Sequence, residues 1–510
     1  MEKEEKGRQG QGVRRLLCAT LDGIESKEVE VESSFTRALP GFSIVGLASN
    51  SIQEAKERVK SALLSCGFRF PPLKITINLS PSDLKKSGSH FDLAIALSIA
   101  LHNESVGLED FYIFGELGLD GRLKATATMF ALVLGLAKKP IKVIAPKEAL
   151  GTLGRIPNVT LYAYEGLEEL LADLKADNLT PASSKPLEHE HIEINDETFY
   201  YASSYPLDFV QVKGQERAKR AALIAAAGMH NILFEGTPGC GKSMIAQRMR
   251  YILPPLSLDE LLEIAKVEAL AGKEPDFTPI RPYRAPHHTA TRASLFGGGS
   301  QNAKPGEVAL AHLGMLFFDE FPHFSKSILE ALREPLQDRK LLISRVNAKV
   351  EYPTKFLFVA AQNPCPCGNL LSSTKECRCT ELEIARYRNK ISEPLMDRIE
   401  LYVQMEEINI EDRPSVDSSR LHRQVIEAFV RQRERGQREC NAHLSEEEIE
   451  KFCLLDDEAK QALQMAVQNL GLSHRGVANT KKVARTIADL DGRETITKAH
   501  LLEALSFRRR

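Results

Sequence analysis

The spacing of apolar positions changes several times along the chain, and the changes divide it. From residue 16 to about 174, short apolar or alternating runs interleave with stretches spaced at three and four. Residues 74–79 (Lys-Ile-Thr-Ile-Asn-Leu) and 142–145 read as strands; residues 51–65 and 92–101 read as helices. Residues 177–205, rich in Pro, Ser, Glu and His, show little periodicity and read as a linker. Three continuous apolar runs follow, at 232–234, 315–318 and 356–361, each short enough for a strand buried on both faces of a parallel sheet. Residues 406–510 are polar, helical in spacing, and without a convincing strand. The pattern predicts a multidomain α/β chain: a flexible tail at 1–15, a β/α domain at 16–174, a linker at 175–208, an α/β core at 209–405 and a helical lid at 406–510.

Composition narrows the partners. The 67 basic and 69 acidic residues leave a net charge of −2, so any surface for nucleic acid must be local. No apolar run approaches the about 18 residues of a membrane-spanning helix, and the charged, Gly/Gln-rich start has no apolar signal segment. Nine cysteines, four of them clustered, fit a reducing compartment better than a disulfide framework, so the cytoplasm is expected.

The strongest chemical signal is Gly236, Thr237, Pro238, Gly239, Cys240, Gly241, Lys242 and Ser243, a complete G-x-x-x-x-G-K-[ST] loop between an apolar run and a helix stopped by Pro254 and Pro255. Its glycines let backbone N–H groups turn onto phosphates, and the helix N-terminus adds positive charge. Lys242 is expected to reach the β- and γ-phosphates of ATP, and the Ser243 hydroxyl to hold Mg²⁺.

About 75 residues later the run 315–318 ends in Asp319 and Glu320. Carboxylates at the C-terminal edge of a parallel strand sit where open α/β sheets bind ligands. Asp319 is expected to hold Mg²⁺ and Glu320 to polarise the attacking water. The run 356–361 ends in Gln362, Asn363 and Pro364, which makes Asn363 the candidate that senses the γ-phosphate. The order and spacing of these elements resemble an AAA+ ATPase. That resemblance assigns Arg398, just before the apolar run 399–403, to a neighbouring subunit's nucleotide, and Arg475, at the start of a lid helix, to its own.

Further segments carry a narrower resemblance: residues 40–47 (Pro-Gly-Phe-Ser-Ile-Val-Gly-Leu), 54–61, Arg284-Ala285-Pro286-His287-His288-Thr289, 305–308, 363–368 and 483–490. Together they are similar to the ComM-type, YifB-like, magnesium-chelatase-like AAA+ ATPases. The resemblance implies a ring, expected to be a hexamer, and an association with DNA branch migration during natural transformation. It also makes residues 284–299 an insert before the acidic strand, with Gly297, Gly298 and Gly299 as a flexible joint. Residues 341–352 alternate around a turn-capable Asn347-Ala348 and read as a β-hairpin. In a ring such a hairpin would turn Arg345 and Lys349 toward a DNA backbone; simple solvated charges are the alternative.

Cys365, Cys367, Cys377 and Cys379 supply four thiols, a set that suits structural Zn²⁺; the C-x-C spacing departs from the commoner C-x₂₋₄-C, and four reduced cysteines in a loop are the alternative. Residues 16–174 resemble the Lon-protease-like domain, whose protease form needs a serine activated by a desolvated lysine. Here those positions fall at Gly88, between Ser87 and Ser89, and at Phe130, flanked by Met129 and Ala131. A binding or assembly module is therefore expected, not a peptidase. The favoured function is an ATP-driven DNA-remodelling motor without sequence preference; the alternative is a magnesium-chelatase-type motor subunit acting on a protein partner.

Overall fold

The computed structural model describes residues 14–104, 106–184, 186–298, 304–345, 348–409 and 411–509. It contains two compact units: one extends to Glu188 and takes in Ala265–Asp276, and the other comprises His189–Ile264 and the chain from Phe277. Apart from Arg14 and Arg15, which begin the first strand, the expected tail lies outside the described residues.

The first unit is built on a seven-stranded mixed sheet, in the order Gly41–Val45, Lys74–Ser80, Glu25–Thr36, Arg14–Asp22, Phe111–Ile113, Ile141–Pro146, Val159–Tyr164. Arg14–Asp22 and Glu25–Thr36 form an antiparallel hairpin that closes at Asp22↔Glu25, with Gly23 left-handed (φ 64) in the turn. Helix Asp92–Ala100 buries every side chain from Asp92 to Ile99, as its almost wholly apolar sequence requires. Its one charge, Asp92, accepts two hydrogen bonds from Arg58, at 2.7 and 3.0 Å, and one from the Leu117 amide at 3.3 Å. A carboxylate this buried needs such partners.

The two positions compared with a serine–lysine pair are structural. Gly88 adopts φ 113, and a Cβ there would fall 2.5 Å from the His90 ring, so no L side chain fits without displacing that imidazole. His90 is itself buried, its Nε2 2.9 Å from the Ala19 carbonyl, and burial pushes its pKa down to about 4. Phe130 is buried in helix Thr128–Leu136. Lys86, two residues before Gly88, is buried and donates its ammonium to the Pro81 carbonyl.

The second unit centres on five parallel strands in the order Tyr283–Arg284, Met315–Phe318, Leu357–Gln362, Ile232–Glu235, Leu401–Gln404. The second, third and fourth are buried throughout, which is why they read as unbroken apolar runs. The loop strand Ile232–Glu235 lies between the strands ending at Gln362 and Gln404, so the phosphate-loop sequence emerges mid-sheet.

Part of the expected linker is folded. Glu190–Ile194 and Glu197–Tyr201 pair as a hairpin whose two turn residues, Asn195 and Asp196, are both left-handed (φ 52 and 63). Leu256–Ser257 adds a third strand, and Phe199 packs edge-on against Phe429 at 5.1 Å. The C-terminal helices begin where short polar side chains cap them. Asp417, Ser445, Asp456 and Ser473 each accept a hydrogen bond from the backbone N–H three residues on, opening helices Ser418–Glu434, Glu446–Phe452, Asp457–Leu470 and His474–Leu490. The expected hairpin comprises Lys340–Arg345 and Ala348–Pro353, paired from Lys340↔Pro353 to Arg345↔Ala348; Asn347 and the side chain of Arg345 lie outside the described residues. In the insert, helix Arg292–Phe296 ends at Gly297 (φ 89), where a Cβ would meet the Lys304 carbonyl at 2.6 Å; Gly299 lies outside the described residues.

Candidate nucleotide site

The loop from Gly236 to Ser243 turns through two left-handed glycines, Gly239 (φ 84) and Gly241 (φ 97), before helix Lys242–Met249. Gly236 is required for another reason: a Cβ there would lie 2.7 Å from Cys240 Sγ and 3.1 Å from Met405 Cβ. Lys242 is almost fully buried, and its ammonium donates to the carbonyls of Gly236 (2.7 Å) and Thr237 (2.9 Å) and to Asn363 Oδ1 (3.2 Å). Burial pushes its pKa below the usual lysine value, opposed by the nearby Cys240, Asp319 and Glu235.

Ser243 Oγ donates to Asp319 Oδ2 at 2.7 Å, so the two oxygen ligands predicted for Mg²⁺ share one point at the mouth of the loop. Their oxygen chemistry and the phosphate-binding loop beside them fit a magnesium–triphosphate ligand, with Lys242 to neutralise phosphate charge. Glu320 follows Asp319 in a left-handed conformation (φ 50) that turns its half-exposed carboxylate away from the strand direction. Asn363 stands at the tip of strand Leu357–Gln362, and its Oδ1 accepts from Lys242 at 3.2 Å. Pro238, Gly239, Lys242, Ser243, Asp319, Glu320 and Asn363 thus line one cavity of about 660 Å³.

Arg398 and Arg475 are not among the residues lining that cavity. They line a second one of about 500 Å³, together with Arg339, His474, Lys482 and Glu400. Arg398 donates to Pro394 O and Gln337 Oε1, and its Nε is buried with no hydrogen-bond partner among the described residues. Burial first, then repulsion from Arg475 and Arg333, depresses its pKa. Asn231, just before the loop strand, fixes this segment by donating its side chain to Arg398 O (2.8 Å) and its backbone N–H to Glu400 (2.8 Å). Burial raises the Glu400 pKa to about 7.

Three further features carry no role in the sequence reading. Glu235, the residue before the loop, accepts hydrogen bonds from Gln362 Nε2 and Tyr402 OH, both at 2.6 Å, tying together the ends of three adjacent strands. His287 and His288 line the nucleotide cavity. His323 approaches Glu320 from the following turn. A charged residue closing an apolar run was the available signal for Glu235; the histidines carried none beyond their place in a family motif.

The four cysteines converge, with their sulfurs all within 4.8 Å of one another. The closest pairs are Cys365–Cys367 at 3.4 Å, Cys367–Cys377 at 3.6 Å and Cys365–Cys377 at 3.7 Å. Sulfurs about 2.3 Å from a tetrahedral Zn²⁺ lie about 3.8 Å apart, close to these separations. Backbone N–H groups of Asn369 and Arg378 hold the Cys367 thiol down to about 6, favouring thiolate. Lys349 is exposed on the hairpin, opposite Ser344.

A buried parallel sheet, a phosphate loop at its C-terminal edge, an acidic strand tip and a helical C-terminal region define an AAA+ P-loop ATPase. Comparisons with known proteins refine this class. Residues 208–413 match the family model for magnesium chelatase subunit ChlI, residues 31–149 a model for subunit ChlI of Mg-chelatase, and residues 415–508 the ChlI C-terminal model. The chain is 36% identical over 497 residues to competence protein ComM of Haemophilus influenzae, covering 95% of each protein. It is 36% identical over 502 residues to the uncharacterised protein YifB of Escherichia coli, again covering 95% of each. A magnesium-chelatase subunit ChlI homolog of Methanocaldococcus jannaschii is 21% identical over 329 residues, covering 59% of this chain and 84% of that protein. The chain belongs to the ComM/YifB-type, magnesium-chelatase-like family. No helix among the described residues is long and apolar enough to cross a membrane.

The geometry separates two roles. Lys242→Ala is expected to abolish ATP binding, because it removes the charge buried under the phosphates. Glu320→Gln is expected to retain binding and lose turnover. Nucleotide titration and steady-state phosphate release test this, and wild-type turnover in Glu320→Gln would remove Glu320 from the chemistry.

Proposed function

We propose that the chain is an ATP-hydrolysing cytoplasmic motor that assembles into a six-membered ring and remodels branched DNA without sequence preference. The observation that carries the ring is the separation of Arg398 and Arg475 from the cavity of Lys242. Phosphoryl transfer needs positive charge on the γ-phosphate oxygens, and a cationic cavity away from the loop can supply it to another copy's nucleotide. On this reading both arginines act across an interface, Arg475 included, although the AAA+ resemblance alone assigned Arg475 to its own subunit. Ser243 and Asp319 would hold Mg²⁺, which would neutralise phosphate charge, and Glu320 would take the proton of the attacking water. Asn363, bonded to Lys242, orients the γ-phosphate.

DNA is supported by the similarity to a relative named as a competence protein and by the exposed hairpin cation Lys349. A near-neutral chain must concentrate its phosphate contacts, and a ring repeats each contact around one axis. Arg345 and Lys349 are the proposed contacts. The N-terminal unit is proposed to be a Lon-like module without proteolytic chemistry, given the clash at Gly88 and the buried Phe130. The cysteine cluster is proposed to hold one structural Zn²⁺.

ATP-driven migration of a four-way DNA junction tests the motor. Replacing Arg345 and Lys349 together by Ala is expected to stop migration and flatten the salt dependence of DNA binding, while turnover without DNA stays at the wild-type rate. Migration at the wild-type rate would place the DNA path elsewhere. No activity on any branched DNA, with ATP turnover intact, would favour the chelatase-type alternative of a protein partner.

Arg398→Ala is expected to lower turnover by on the order of 10³ with ATP affinity retained. Mixing it with Glu320→Gln subunits is expected to restore part of the rate, since some interfaces then carry both an intact Glu320 and an intact Arg398. No restoration at any ratio would rule out action across the interface.

Elemental analysis of protein purified without chelator is expected to find about one Zn²⁺ per chain, lost when Cys365 and Cys377 are both replaced by Ser. A metal-free, folded and active preparation would remove the site.

A further inference from the structure

Two imidazoles from separate parts of the chain approach the same oxygen of Glu320. His323 lies in the turn Phe321–His323, closed by its backbone N–H on Glu320 O at 2.7 Å, and its Nδ1 is 3.3 Å from Glu320 Oε2. His288 comes from the segment after strand Tyr283–Arg284, and its Nδ1 is also 3.3 Å from Glu320 Oε2. Neither ring is free to drift. His288 stacks on His287 with centroids 4.1 Å apart and meets His323 edge-on at 5.9 Å. His287 Nδ1 lies 2.8 Å from Thr289 Oγ1, and Arg284 anchors the segment through two hydrogen bonds to Glu307, at 2.5 and 2.7 Å. His323 meets Tyr387 edge-on at 6.1 Å.

A general base acts through one oxygen aimed at one water. The Glu320 side chain is half exposed on a backbone in the left-handed region, so nothing in its own turn beyond His323 selects a rotamer. Both imidazole contacts fall on Oε2 and neither on Oε1.

We propose that His288 and His323 are positioning residues for Glu320: together they hold Oε2 so that Oε1 receives the proton of the attacking water. The inference rests on the ATPase reading of this cavity. It gives the insert motif at 284–289 a task in turnover. It also links the acidic strand tip to the insert through one carboxylate.

Steady-state ATP hydrolysis by the full-length chain with Mg²⁺ tests it, with binding of a fluorescent ATP analogue as the folding control. His288→Ala is expected to lower kcat about tenfold and leave KM for ATP within about twofold, the split that marks loss of an interaction used in the chemical step. His288→Gln, which keeps an N–H donor, is expected to recover at least half of the lost rate; His288→Leu, of similar bulk without a donor, is expected to recover none. In a Glu320→Gln background, His288→Ala is expected to cause no further loss, because the group it positions is already gone. Wild-type kcat in His288→Ala, equal recovery by Leu and Gln, or an undiminished tenfold loss on top of Glu320→Gln would each overturn the proposal. Wild-type turnover in Lys242→Ala would instead show that hydrolysis does not occur in this cavity, and the ATPase reading would fall with it.

Discussion

The second unit is arranged around one ammonium group kept out of water. Lys242 sits under its own loop, nearly buried, with two carbonyls and the Asn363 amide oxygen as acceptors. Desolvation opposes its charge, as the depressed pKa records, and these neutral dipoles offset only part of that penalty. A phosphate anion completes what the carbonyls begin. The same bonds couple the loop to the sensor strand: Asn363 cannot move without altering the surroundings of Lys242. On the proposed reading, a ligand that draws the ammonium toward itself would release Asn363 Oδ1, and strand Leu357–Gln362 would register nucleotide directly.

That coupling needs strand ends that stay in register. Glu235 provides the tie, since Gln362 and Tyr402 both donate to its carboxylate at 2.6 Å. The pair Glu235↔Gln362 closes the ladder between the loop strand and strand Leu357–Gln362, and Glu235↔Gln404 closes it on the other side. A charge at this depth is stable because both its oxygens are hydrogen-bonded. Its position, one residue before Gly236, means that the loop leaves the sheet from a fixed point.

The cysteine cluster acts on the same loop from outside. Gly368, within the cysteine segment, adopts φ 80 and approaches so closely that a Cβ would fall 2.7 Å from Pro238 Cδ. Pro238 is part of the phosphate loop, and Asn363 lies two residues before Cys365. Whatever orders the four sulfurs therefore also orders the back of the loop and the segment leading from Asn363. This is a structural task, since none of the sulfurs lines the nucleotide cavity.

What could be read from the chain follows from the range of the interactions involved. Runs buried on both faces leave only apolar residues, so Ile232–Glu235, Met315–Phe318 and Leu357–Gln362 were visible as strands, and the loop and acidic tip fell into place from their neighbours. The helical spacing of 406–510 likewise announces the C-terminal helices. The hairpin Glu190–Tyr201 was hidden because most of its residues remain at least partly exposed, and its Asn195-Asp196 turn lacks the usual glycine. The convergence of His288 and His323 on Glu320 had no local sign, since it joins residues 35 positions apart by way of two different turns. The grouping of Arg475 with Arg398 was equally hidden. It depends on Asn231 holding the Arg398 backbone, a contact between segments far apart in sequence. The AAA+ resemblance assigns an arginine to the γ-phosphate. On the proposed reading, which copy's phosphate it serves depends on where the sheet and the helices put its guanidinium, and here they put it outside the cavity of Lys242.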